Sequence, residues 1–298
     1  MSDLAQFLIA GLSLGSIYAL ICLGFVVVYR ATGVINFAQG VLVVLGAFVV
    51  HELTIRQGLP FVAAVPLAML VVGAFCLLLE RLIFRPLVGQ PVTSMILVTL
   101  GVVFVVEQIC VGLWGYDVLM IGDPWGVRTV ALGGTAVRVA DLWTIGAAGA
   151  ALLAFFALFR FTTLGIAMRA GSADPEAALA HGISPRAIHG ISWAIAGAVA
   201  VVAGVLLAAG PKGVDLTIGV VAYRALPAMI LGGLDSSEGA VVGGLTIGLV
   251  EVLSAAYLVP AFPALGANFH VLVPYFVMII VLLVRPHGLF GRHEVRRV

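Results

Sequence analysis

Glu107, Arg224 and Glu251 fall inside otherwise apolar stretches of the chain. A charge in hydrocarbon is expensive, so such residues pair with one another and are functional suspects by default. Counted from the ends of their segments, Arg224 lies about 9 Å and Glu251 about 10 Å from the outer membrane edge, with Glu107 in the same half. The placement predicts that Arg224 pairs with Glu251 or Glu107. Such an intramembrane ion pair either fixes helix packing or forms a gate. Asn36 and Gln39 stand near the positive N-terminal end of the second apolar segment. They either line a translocation path together with Arg224 or, in the case of Asn36, cap the helix.

Other chemistry lacks its residues. A phosphate-binding loop needs Gly-Lys followed by Ser or Thr. The one lysine, Lys212, sits in GPKGV, where Gly213 follows it. ATP hydrolysis is therefore not expected on this chain, and energy must come from a partner or an ion gradient. No Cys/His spacing supports zinc, and no serine occupies a nucleophile elbow. Cys22, Cys76 and Cys110 all lie in apolar segments, and their odd number argues against a disulfide framework. They read as small buried apolar residues. A net charge of +1 without a basic run gives no footing for nucleic acid.

The elements that must position these residues are membrane helices. Of 298 residues, 62% are hydrophobic and 10% charged, against about half and about a quarter in a soluble domain. Runs at 4–28, 34–50, 60–79, 92–113, 142–159, 188–209, 218–233, 238–258 and 270–284 approach the ~20 residues that a spanning helix needs. None shows the strict alternation of a membrane barrel. The expected fold is an all-α polytopic membrane protein, a single transmembrane domain over 1–298. No Lys or Arg precedes Arg30, so the first run reads as a retained anchor, not a cleaved leader. Two stretches break the helices: Tyr29 to Gly40, and Lys212 to Gly244. Segment 218–233 reaches about 24 Å, short of a roughly 30 Å core, and predicts a short or re-entrant helix.

With the N-terminus outside, one face collects Arg30, Arg81, Arg85, Arg160, Arg169, Arg186, Arg285, Arg292, Arg296 and Arg297. The other collects Arg56, Arg128, Arg138 and Lys212. The excess makes the first face cytoplasmic, with the N-terminus periplasmic and the C-terminus cytoplasmic. The outer loop, 114–141, carries strand-like Val127–Val130 and Ala136–Val139 around Gly133-Gly134, which predicts a small β-ribbon. It either caps helix ends or meets an external partner.

The cytoplasmic loop, 160–187, reads as one short helix held between two breaks. Asp174 caps it, Pro175 suits its first position, Glu176 to His181 are mostly good formers, and Gly182 ends it. Ser184 and Pro185 launch the next segment.

The pattern Glu176-Ala177-Ala178-x-x-x-Gly182 resembles the EAA loop of bacterial ABC importer permeases, whose short helix docks into a groove on a separate ATPase. The opening GLSLGSIYALICLGFVVVYRATGVINFAQG, the later RALPAMILGGLDSSEGAVVGGLTIGLVEVL and the ending LLVRPHGLFG resemble the branched-chain amino acid permease family, the first of its two paralogous permeases in particular. The resemblance covers essentially the whole chain. It implies a bacterial inner-membrane heterodimer with a second permease, two ATP-binding subunits and a periplasmic binding protein. The cargo implied is leucine, isoleucine, valine or related amino acids, and a urea-importing branch shares the motifs. No cofactor is implied on this chain, since ATP and magnesium belong to the partner ATPases. Asp174, Glu176, Ala177, Ala178 and Gly182 are then the coupling residues. A gradient-driven transporter using the intramembrane carboxylates is the other reading of the same charges.

Overall fold

A computed structural model describes residues 2–132, 135–173, 175–209 and 212–291. The chain forms α1 (Ser2–Thr32), α2 (Gln39–His51), α3 (Phe61–Leu79), α4 (Val92–Trp114), the strands β1 (Thr129–Leu132) and β2 (Thr135–Arg138), then α5 (Val139–Phe161), α6 (Thr163–Ala173), α7 (Pro175–Ala180) and α8 (Pro185–Ala208). The last third holds α9 (Ile218–Tyr223), α10 (Leu226–Gly232), α11 (Ser237–Leu253), a single turn α12 (Val259–Ala261) and α13 (Val273–Val284). Seven helical stretches are long and apolar enough to cross a membrane, and Ile218–Gly232 and Phe269–Val284 add two shorter apolar pieces. All nine segments expected from hydropathy are therefore helical.

Their ends differ from the expectation in informative places. The second segment begins at Gln39, not at residue 34. Gly33 turns left-handed at φ 71°, and the Asn36 Oδ1 accepts the Ala38 N–H at 3.0 Å, so Val34 and Ile35 belong to a turn despite their apolar side chains. The same segment runs on through a π-helical turn, Glu52–Arg56. The third continues through a second such turn, Glu80–Phe84, to Leu87. There Glu80, almost wholly buried, is held by Arg85 Nη2 at 2.9 Å. The ribbon forms with β1 and β2 antiparallel, Val130 opposite Val137. The expected Gly133-Gly134 turn lies outside the described residues.

α1 is the axis, 89% buried over its membrane window, with α8 at 78% and α2 at 72%, whereas α3, α4 and α5 are buried over 28%, 22% and 17% and form the flank. The α1–α11 crossing is a small-residue contact. Gly11, Gly15 and Ala19 recur at spacing four on α1, facing Gly244 and Gly248 on α11. A Cβ on Gly248 would lie 2.3 Å from the Gly15 Cα, and one on Gly244 would lie 2.4 Å from the Ala19 nitrogen. Lipid supplies no hydrophobic drive between helices, so close backbone approach and dispersion hold such a crossing.

The hairpin end is pinned to α2. Thr54 Oγ1 donates to the Ile121 carbonyl at 2.8 Å, His51 Nδ1 is 2.6 Å from the Met120 carbonyl, and Leu119 pairs with Val214. Trp125 stacks on Trp143 with centroids 5.6 Å apart. The opposite end gathers Arg30, whose guanidinium lies 5.1 Å from the Phe159 ring centroid, with α6, the start of α8 and the start of α11.

Candidate functional site

The polar chemistry of the chain collects in three places. The first is the α6–α7 corner at the Arg30 end. The expectation of one short helix in 160–187 missed α6, which follows α5 after the bend at Thr162. Thr162 caps it, its Oγ1 accepting the Gly165 N–H at 3.2 Å. Gly165 and Gly171 lower helix propensity there, and packing overrides it. Arg169 lies over Phe159, 5.7 Å from the ring centroid, and donates to its carbonyl. α7 ends in a Schellman motif. The Ile183 N–H reaches back to the Ala178 carbonyl at 3.0 Å, and the Gly182 N–H to Leu179 at 2.9 Å. Gly182 takes φ 80° to make this turn, a conformation that costs a residue with a Cβ. Ala178 is buried against the protein, whereas Ala177, Leu179 and Gly182 are exposed. Asp174 lies outside the described residues, as does the side chain of Glu176. Leu179 and Ile166 stand 60% and 55% exposed, two large apolar side chains presented beside the arginines of this end.

The second place is the break before α2. Gln39 is the first residue of α2, at the expected N-terminal end. Its amide rests over Gly24, where a Cβ would come within 2.1 Å of Nε2, eight residues and about 12 Å back along α1 from Thr32. Gln39 Nε2 donates to the Ala196 carbonyl of α8 at 3.3 Å. Asn36 and Gln39 are 1% and 0% exposed. Among the described residues, Asn36 Nδ2, Gln39 Oε1, Ser192 Oγ and Trp193 Nε1 have no hydrogen-bond partner. Both residues face neighbouring helices of their own chain, and Asn36 also lines a narrow pocket with Thr99 and Trp193. Trp193 was not anticipated from sequence; a tryptophan in an apolar run is the available signal, because its N–H needs a partner.

The third place is the α9–α10 break. Arg224 terminates α9, and its Nη1 lies 3.4 Å from Glu251 Oε1 on α11. The Tyr18 hydroxyl on α1 donates to the other carboxylate oxygen at 2.6 Å. One turn further along α1, the Cys22 thiol donates to the Ala225 carbonyl, with Sγ 3.2 Å from the oxygen. That carbonyl sits at the junction of α9 and α10. One face of α1 thus carries both the counter-ion and the broken backbone. All three cysteines are buried, but Cys22 is more than filler. Glu107 does not join the pair. Its helix, α4, packs on α2, and among the described residues no salt bridge includes it. A π-helical turn, Ser254–Leu258, begins three residues after Glu251, a local irregularity frequent at functional sites. The two breaks touch each other, because the Tyr223 hydroxyl donates to the Phe37 carbonyl at 3.1 Å.

Short interrupted helices meeting at membrane depth, inside a shell of full-length spans, define a polytopic membrane protein of transporter type. A family model described as branched-chain amino acid transport system / permease component matches residues 7–282, and the chain belongs to that family. It is 31% identical to the high-affinity branched-chain amino acid transport system permease protein LivH of Escherichia coli (strain K12), over 97% of this chain and 96% of that one. It is 30% identical to the corresponding protein BraD of Pseudomonas aeruginosa, over 98% and 97%. A probable LivH of Methanocaldococcus jannaschii is 29% identical over 93% and 89%. Among solved structures, PsaBC from Streptococcus pneumoniae in complex with Fab aligns with TM-score 0.51 over 95% of this chain and 93% of that one, at 15% identity, a likeness of fold. The chain is thus a multi-pass permease subunit of an ABC transport system, a transport protein whose ATPase and binding-protein functions reside on separate subunits.

Proposed function

We propose that this chain imports branched-chain aliphatic amino acids across a bacterial inner membrane, paired with a second, paralogous permease and driven by two ATPase subunits that engage the α6–α7 corner. The periplasmic binding protein delivers cargo at the hairpin end, beside loop 114–141. The N-terminus is periplasmic and the C-terminus cytoplasmic, in keeping with the arginine excess at the α7 end. Alternating access supplies the mechanism: α7, with exposed Ala177 and Gly182 at its docking face and end and buried Ala178 seating it on the permease, together with Asp174 and Glu176, moves with the ATPase and opens the route to one side, then the other. Arg224 lies on that route, and its pairing with Glu251 holds α9 against α11 there.

The observation that carries the reading is the exposed, capped α7. A rod with one buried alanine and an exposed Leu179, following a helix with an exposed Ile166, presents apolar surface that water alone does not favour. The test is reconstitution of the permease pair, both ATPases and the binding protein in vesicles. ATP-dependent uptake of leucine, unaffected by collapsing proton and sodium gradients and outcompeted by valine but not urea, is expected. Gly182→Leu, which forces a Cβ into φ 80°, is expected to lower uptake while ATP hydrolysis continues. Coupled transport at the wild-type rate in that variant would remove α7 from the coupling role.

A further inference from the structure

Arg224 is only partly used by the protein. A guanidinium offers five N–H donors in a planar fork, and among the described residues Glu251 takes one contact, at 3.4 Å. The Arg224 side chain remains 34% exposed, against 5% for Glu251. Its free side borders a cavity of about 560 Å³ walled by Leu265, Asn268, Phe269, Val271 and Leu272. A volume of several hundred Å³, mostly apolar with few polar groups, is the usual character of a small-molecule site.

The wall is irregular backbone at membrane depth. α13 has 12 residues and rises about 18 Å from the Arg285 end, so the turn at Phe269–Val271 sits well inside a ~30 Å core. The chain leaves the full-length stretch Ser237–Ala261 at its outer end, stays exposed through 261–268 and re-enters at Phe269; non-helical backbone at depth is tolerated against protein or water, not against acyl chains.

We infer that the Arg224 guanidinium and the 265–272 wall form a half-site that binds the α-carboxylate of an aliphatic amino acid in transit, with its side chain against Leu265, Phe269, Val271 and Leu272. The inference rests on the import reading above. Glu251, clamped by Tyr18, aims the fork and keeps the arginine from closing over the cavity. Asn268 is the one neutral polar side chain in the wall and offers its amide oxygen to the ammonium group. The cation at the mouth disfavours lysine-like cargo by like-charge repulsion. One side of the cavity is open.

The experiment measures ATP-driven leucine uptake by the complete reconstituted transporter carrying Arg224→Gln, or Arg224→Gln with Glu251→Gln. Loss of a charge-assisted fork to a carboxylate lowers uptake roughly ten- to hundredfold, and the double variant stays as low, although it strands no charge. Recovery of the double variant to within about threefold of wild type would show that the pair serves packing alone and overturn the inference. So would wild-type uptake in Arg224→Gln. If these variants fail to assemble, Leu265→Trp, on an exposed wall position, narrows the cavity and is expected to slow leucine uptake more than alanine uptake; equal rates for both would also overturn it. A wild-type complex that takes up no aliphatic amino acid would sink the import reading itself, whereas normal wild-type uptake with a rescued double variant sinks this inference alone.

Discussion

The two helix breaks sit side by side, joined by the Tyr223–Phe37 hydrogen bond, yet they solve opposite problems. At Asn36–Gln39 the polar groups are nearly sealed among α1, α2 and α8, with several atoms unpartnered among the described residues and only a narrow pocket beside Asn36 and Trp193. At Arg224 the charge is paired on one side and exposed on the other. A buried polar group without a partner costs roughly 1–3 kcal/mol, so the sealed break is a place where the packing carries a deficit. The open break carries little deficit, because water or cargo reaches it. The first has the character of a joint between helices and the second that of a contact surface.

The largest effect is expected from Glu251→Leu, which removes the counter-ion of Arg224 and the acceptor of Tyr18 at once. Stability of the detergent-solubilised complex should fall by about 3 kcal/mol, discounted for the partial exposure of the arginine, and uptake should be lost; an unshifted unfolding midpoint would mean that the open break is held by something else. Gly24→Leu attacks the sealed break. Its Cβ alone would meet Gln39 Nε2 at 2.1 Å, and the amide must leave its bond to the Ala196 carbonyl to make room, so a cost of about 2 kcal/mol is expected. Thermal unfolding checks it, and a neutral result would show that the break is roomier than described. Tyr223→Phe cuts the hydrogen bond to the Phe37 carbonyl that joins the two places. It should cost about 1 kcal/mol and lower maximal uptake more than apparent affinity, because cargo contacts survive; a change in affinity alone would put Tyr223 on the cargo surface instead.

The nine apolar segments were legible because spanning helices need long apolar runs, and the Gly182 stop because few residues accept a left-handed turn. The start of α2 was misplaced because Val34 and Ile35 look like helix interior, and only Gly33 and Asn36 betray the turn. α6 was missed because its glycines argue against a helix and tertiary packing outweighs them. Glu251 was one of two partners that depth allowed for Arg224. Tyr18 was not anticipated, since 233 residues separate it from the carboxylate it holds, and no local pattern reports such a contact.

Where Gly15 meets Gly248, main chain lies against main chain with no side chain between to slide or tilt. α1 and α11 therefore travel as one keel, and any rocking during turnover is borne by the helices outside it. A polypeptide severed between α8 and α9 and co-expressed as two pieces should still reassemble, because its opening helix carries the docking surface for its final third.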